Sequence, residues 1–421
     1  MPSRVSVCLD PTAFAVLVDA LARQGRADLF LSGPGCVGAA RSVVGFAPHS
    51  ELVVTTDTPP DALSGFCFGS ADPALGFLGY GYGLALRRVA TQKQTGFPAG
   101  LLRKYGAYLE YDARQCRAEI YGPDAGAVHA LARLAQNPPV PMPFVAPAPA
   151  PVAQSLSRVA YEQGVVQTLE HIRAGQTYQL NLSIRFQRPA RDLDVPGLFR
   201  SLWRTRPAPY YAFMRQGSYE IVSTSPERFL RVRGGQVLSQ PIKGTLAFAH
   251  YQPGLERRLL ASGKESAELS MIVDLVRNDI SANCEYGSVH VGRHKAVFVV
   301  DRLVQMYSEV HGQLRADKTC LDLLLDAFPP GSVSGCPKRS SLELIDALEP
   351  HARDLYCGCF VIVRGPRDLD SSVAIRTGWR DAQSGLFSFF AGSGIVVDSK
   401  PALEYAETMA KAEKFLTLGA A

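Results

Sequence analysis

The chain has 421 residues, 47% of them hydrophobic and 20% charged, a globular composition with room for about two to three domains of ~150 residues. Its 44 Lys and Arg against 39 Asp and Glu leave a net charge of +5 with no basic run, which argues against nucleic acid as a partner. The nine cysteines include no CxxC pair and no apolar stretch approaches the ~20 residues of a spanning helix, so a soluble chain in a reducing cytoplasm, away from the membrane, is expected.

Residues 1–136 mix short β-like runs with glycine turns, such as Leu29-Phe30-Leu31 ahead of SGPG. Residues 137–155 hold seven prolines and no hydrophobic periodicity, which predicts an extended connector. The remainder, 156–421, carries the sharper signals. Ser157 reads as the N-cap of a helix with apolar Val159, Val165, Val166, Leu169 and Ile172, closed by Gly175. Over 178–186, Tyr178, Leu180, Leu182, Ile184 and Phe186 alternate with Gln179, Asn181, Ser183 and Arg185, predicting a strand. Its polar face either lines a site or faces water, the commoner case. Strands follow at 219–223, 228–233 and 236–240, the last two joined by the hairpin signal Gly234-Gly235.

Several residues in this second half are able to do chemistry. Glu227 is a general acid if desolvation raises its affinity for a proton, and otherwise an ordinary ion-pairing acid. Lys243 stands at a strand end between Ile242 and Gly244; burial would make it a nucleophile, whereas a solvent-facing turn lysine is the more frequent case. Glu265 and Glu268 are one helical turn apart beside apolar Met271, Ile272, Leu275 and Val276, and Glu404 and Glu407 repeat the spacing with Lys411 one turn on. Such pairs usually face solvent, but two helices presenting them together would suit a hard cation such as Mg²⁺. Ser334-Gly335-Cys336-Pro337-Lys338 opens a helix, either as an anion site or simply as a proline start. Arg376 lies in a β-like run, where its fork grips a carboxylate or forms a structural ion pair. Gly392, Ser393 and Gly394 offer amides to an anion or make a common turn.

Taken in order, IRAGQTYQLNLSIRF, STSPERFL, QPIKGT, KESAELSMIVDLVRNDI, AFPPGSVSGCPKRSSLELIDALEP, SSVAIRT and AGSGIVVDS resemble the chorismate-utilising enzymes. Within that family the likeness is greatest to component I of aminodeoxychorismate synthase, ahead of anthranilate synthase component I and the isochorismate and salicylate synthases. The resemblance implies an α+β chorismate-binding fold of two packed antiparallel sheets flanked by helices. In it, residues 1–136 join the sandwich as a degenerate N-terminal region and 156–421 form the catalytic domain. It further implies Mg²⁺ held by Glu268 and Glu407 with Glu265 and Glu404 as ligands or neighbours. Substrate contacts would come from Gln179, Thr245, Tyr356, Arg376, Gly392, Ser393, Gly394 and Lys411, with Glu227 as general acid and Lys243 as nucleophile.

Two positions discriminate among relatives. Gln179 stands where the water-adding members carry a lysine base, and Lys243 stands where anthranilate synthases carry alanine in PIAGT. The implied activity is therefore Mg²⁺-dependent amination of chorismate at C4 to 4-amino-4-deoxychorismate, for 4-aminobenzoate and folate synthesis. Ammonia would come from a separate glutamine amidotransferase subunit, since residues 1–136 lack a Cys-centred nucleophile elbow. Anthranilate synthesis and a non-catalytic partner of an amidotransferase are the alternatives. Around residues 30–48 the family's acidic residue is missing, which counts against a tryptophan site there.

Overall fold

Alternating apolar runs punctuated by glycine and proline become antiparallel strands in the computed structural model, which describes residues 3–33, 36, 41–248, 250–300 and 303–418, the side chains of 245, 247 and 264 excepted. Part of the 30–48 segment therefore lies outside the described residues. Among the described residues 19 strands join one system of ladders, three more form a small separate sheet, and α-helices pack against them, giving an α+β fold. The ladders fold back so that facing layers share a core. Phe30 of Ala27–Leu31 meets Phe360 of Cys359–Gly365 with ring centroids 6.2 Å apart, although the two strands pair with other neighbours.

Both halves of the chain supply strands to these layers. Ala27–Leu31 pairs with Tyr210–Gln216, and Ala74–Leu78 pairs with Cys359–Gly365. Residues 138–152 contain no helix or strand. Carbonyls in this proline-rich segment are used as acceptors: Arg200 Nη2 donates to Met142 O at 2.6 Å and Arg188 Nη2 to Ala148 O at 3.0 Å. No described helix is long and apolar enough to cross a membrane.

The helix Arg158–Arg173 begins where Ser157 Oγ accepts from Ala160 N at 3.2 Å, and Gly175 follows it at φ 72°, a conformation glycine adopts without strain. Its buried face differs from the predicted stripe: Val159 and Val166 face solvent, while Tyr161, Gly164 and Thr168 are covered. Helix contact in this fold is set by which face meets the sheet, so a tyrosine with a bonded hydroxyl displaces a valine. Likewise Tyr178 is exposed beside the strand Gln179–Pro189, and Met271 of Gly263–Ser281 is exposed where Ile272, Leu275 and Val276 are buried. The predicted strands appear as Tyr219–Ser225, Arg228–Arg233 and Gln236–Gln240, the last two joined through Gly234 and Gly235.

Candidate active site

Pattern alone leaves the polar face of Gln179–Pro189 undecided, and the tertiary structure resolves it. Gln179, Asn181 and Ser183 are 2%, 5% and 0% exposed, as dry as Leu180, Leu182 and Ile184 opposite them. Buried polar atoms need partners. Ser183 N and Oγ both donate to Glu349 Oε1, at 2.7 and 2.8 Å, and Glu349 is in turn gripped by Arg353, whose Nε donates to Oε2 at 2.9 Å. Arg353 also lies over the ring of Tyr356, which stacks on Phe390 with centroids 5.3 Å apart. Asn181, Tyr356 and Phe390 of this layer line a cavity, with Glu349 and Arg353 behind them.

The neighbouring strand Leu386–Ile395 runs straight through the glycines that the sequence offers as a loop or turn. Gly392, Ser393 and Gly394 stand opposite Ser183, Leu182 and Asn181. The ladder with Thr377–Asp381 on the other edge ends at Phe389, and beyond it Gly392 O accepts from Lys411 Nζ at 3.1 Å. Ser393 points the other way, its hydroxyl 2.8 Å from Tyr161 Oη and its side chain fully buried. A Cβ on Gly394 would stand 2.7 Å from Lys243 Nζ and 3.0 Å from Gln179 Nε2, so glycine leaves the space that the amine occupies. Gln179 Nε2 is buried without a hydrogen-bond partner among the described residues.

Lys243 belongs to the small sheet, in Ile242–Ala247, opposite Met306 of Leu303–Tyr307. The register shifts just after it, where Gly244 adopts φ 79°. This bulge aims the amine into the cavity instead of to solvent, which settles the turn-lysine alternative. Burial pushes the Lys243 ammonium below the ordinary lysine range; Glu268 opposes this, Lys411 adds to it, and Glu407 and Glu227 oppose it. Glu227 follows the strand Tyr219–Ser225 and is 4% exposed. Burial pushes its carboxyl up to about 7, against the Ser332 hydroxyl donating at 2.6 Å and the nearby charges of Lys243 and Lys411. An acid poised near neutrality and an amine whose charged form is disfavoured by burial thus share one cavity.

Glu265 and Glu268 line this cavity from Gly263–Ser281, and Glu407 and Lys411 from Pro401–Leu416. The Glu407–Lys411 pair closes at 2.5 Å. Glu404 is 2% exposed and lies outside the cavity lining, its Oε1 accepting from Ser399 Oγ at 2.6 Å. Arg376 and Tyr356 line the cavity as well. Arg376 sits at φ 53°, held by Thr224, whose N and Oγ1 donate to its carbonyl at 3.0 and 3.2 Å, while its Nη1 donates to Lys411 O. The side chain of Thr245 is outside the described residues. Lys338 of the SGCPK segment pairs with Asp279 at 2.9 Å and follows Pro337, which precedes the helix without a side-chain cap, so this segment is a proline start.

The donor set fits a hard divalent ion in part. Three carboxylates, Glu265, Glu268 and Glu407, reach one cavity from two helices, which suits Mg²⁺ with one or two protein carboxylates and oxygens from substrate and water. Glu404 Oε1 is engaged by Ser399, one turn along the helix from Glu407. Among the described residues no three acidic, histidine or cysteine side chains cluster closely enough to hold a metal by themselves. Among the polar side chains that line the cavity, the sequence leaves Asn181 undecided and gives no role to Ser332 or Gln305. Ser332 and Gln305 are 6% and 5% exposed, and Gln305 Oε1 has no partner among the described residues. The available signal for Gln305 was one polar side chain inside the apolar run LVQMY.

Comparison with known proteins agrees with this geometry. A family model described as chorismate binding enzyme matches residues 43–417. Aminodeoxychorismate synthase component 1 of Klebsiella aerogenes is 40% identical over 265 residues, covering 62% of this chain and 58% of that protein. Anthranilate synthase component 1 of Bacillus subtilis (strain 168) is 35% identical over 268 residues, covering 63% and 52%. The matches thus span little more than half the length of these curated relatives. The structure of anthranilate synthase component I from Streptococcus pneumoniae TIGR4 superposes with a TM-score of 0.79 at 27% identity, covering 91% of this chain and 94% of that one. The menaquinone-specific isochorismate synthase MenF from Escherichia coli shares the fold with a TM-score of 0.77 at 16% identity, covering 100% and 95%.

Proposed function

We propose that this chain, which belongs to the chorismate binding enzyme family, aminates chorismate at C4 to give 4-amino-4-deoxychorismate. The observation that carries this reading is the Lys243 amine, seated over Gly394 in the same cavity as Glu227. The neutral amine attacks C2 of the ring; the double bonds shift, the C4–O bond breaks, and the Glu227 proton leaves with the hydroxyl as water. The resulting carboxylate takes the surplus proton from the lysine nitrogen. Ammonia then adds at C4, the double bonds shift back, and the C2–N bond breaks. One proton lost from the new amine returns to Lys243, so the sum is chorismate plus ammonia to product plus water. Arg376 and Lys411 supply positive charge for the substrate's carboxylates, and Tyr356, whose hydroxyl burial keeps protonated, supplies a donor. Mg²⁺ held by Glu268 and Glu407, with Glu265 beside them, would neutralise a substrate carboxylate.

A separate glutamine amidotransferase subunit would deliver the ammonia in a cytoplasmic pathway to 4-aminobenzoate and folate. The test is product analysis by mass spectrometry and fluorescence with chorismate, Mg²⁺ and ammonium, with and without an added aminodeoxychorismate lyase. Formation of 4-aminobenzoate only with the lyase supports the reading. Fluorescent anthranilate and pyruvate without it would move the chain to C2 amination, and failure to bind chorismate with Mg²⁺ in calorimetry would leave a non-catalytic partner.

A further inference from the structure

Between the helices Cys320–Ala327 and Lys338–Leu348 the chain makes one tight turn, Gly331–Val333, against the cavity. Its middle residue, Ser332, is 6% exposed and its hydroxyl donates to Glu227 Oε1 at 2.6 Å. The turn has little freedom to move. A Cβ on Gly331 would lie 2.5 Å from Leu275 Cδ2 and 3.1 Å from Asp279 Oδ2, so the backbone is pressed against the helix that carries Glu265 and Glu268. Asp279 is itself fixed by Lys338 Nζ at 2.9 Å, and Ser334 Oγ donates to Pro330 O at 2.9 Å across the turn. The serine donor is therefore presented by a rigid support, and the carboxyl that it meets is buried beside it in the lining of the same cavity.

We infer that Ser332 is a positioning residue for Glu227: by donating to Oε1 it fixes the carboxyl's rotation and leaves Oε2 as the oxygen that hands its proton to the departing hydroxyl. A carboxylic acid carries its proton on one oxygen while the other accepts, so a fixed donor at Oε1 selects the productive arrangement before substrate arrives. The remaining charged and titratable groups around Glu227 come from other elements: Lys243, Lys411, Glu268, Glu407, Arg376 and Cys357. The serine hydroxyl is the side-chain donor at Oε1, and the backbone N–H of Ile242 also hydrogen-bonds the carboxyl. The inference rests on the reading of Glu227 as the general acid.

The test compares Ser332→Ala, Ser332→Thr, Ser332→Val and Glu227→Gln in the full chain with chorismate, Mg²⁺ and saturating ammonium. Loss of the hydroxyl is expected to lower kcat on the order of 10- to 100-fold with KM little changed, because placement of the acid and not binding is lost. The basic limb of the pH profile should move to higher pH, since the serine donor favours the carboxylate. Threonine should restore both rate and limb, whereas valine, of similar shape without the hydroxyl, should not. Equal rates for threonine and valine, or an unmoved limb in Ser332→Ala, overturn the inference. Should the alanine variant fail to fold by circular dichroism, the threonine and valine pair decides it, with Ser332→Cys as a weaker donor read in the same way. An active Glu227→Gln would sink the general-acid reading itself, whereas an inactive Glu227→Gln beside an undisturbed Ser332→Ala would sink only the role of the serine.

Discussion

At the Lys243 amine two requirements meet: the nitrogen has to be neutral to attack, and it has to stand among carboxylates and other cations. Burial favours the neutral amine while Glu268, Glu407 and Glu227 draw it back toward the ammonium, so the balance is set by the dryness of the cavity. Lys243→Ala is expected to lose 4-amino product by at least about 100-fold while still binding chorismate, as read by mass spectrometry and calorimetry; an unchanged rate would remove the nucleophile from the mechanism. Away from the site, His351 shows the linkage between burial and pH. Burial pushes its imidazole down to about 4 from 6.5, with Glu349 opposing, and its Nε2 stays 3.3 Å from Ser183 Oγ. A depressed histidine is neutral in the fold and charged in the unfolded chain below pH 6.5. Stability should therefore fall as pH drops from about 6.5 toward 4, by on the order of 3 kcal/mol in all. His351→Gln should flatten this acid limb in thermal unfolding followed across that window, and an identical limb in both proteins would count against the assignment.

At the scale of elements, the strand Leu386–Ile395 does two jobs with its two edges and faces. One edge completes the ladder with Gln179–Pro189, while the glycines leave the other side open for Lys243 and Lys411. Gly394→Ala should therefore separate stability from function. The added Cβ meets the flexible end of Lys243 at 2.7 Å, which is free to swing aside, so unfolding should change by less than about 1 kcal/mol. The amine is then displaced, and kcat should drop at least about 10-fold; full activity in a correctly folded Gly394→Ala protein would show that the amine need not occupy that place. The helices follow a similar logic. Gly263–Ser281 and Pro401–Leu416 each bring acids to the cavity within their first two turns while burying apolar residues farther along.

For the whole molecule, the ladders between Ala27–Leu31 and Tyr210–Gln216 and between Ala74–Leu78 and Cys359–Gly365 tie the two halves of the chain together. Residues 156–421 expressed alone would expose both of those strand edges and the apolar face under Phe30 and Phe77, and aggregation is expected. Co-expression with 1–155 should recover a soluble complex, and a soluble, chorismate-binding 156–421 on its own would contradict this. The sequence by itself determined the local elements, because period-two alternation, Ser157, Gly175 and the Gly234-Gly235 hairpin act within a few residues. Its ordered motifs also determined the family and the cavity's principal residues, Glu227, Lys243, Glu265, Glu268, Arg376, Glu407 and Lys411. Only the tertiary structure decided which faces are dry. It buried Gln179, Asn181 and Ser183, exposed Val159 and Val166, turned Ser393 away from the cavity, and brought Ser332 to Glu227. These outcomes depend on layers that meet across more than a hundred residues of chain, and a pattern of neighbours in sequence holds no information about the element that will cover it.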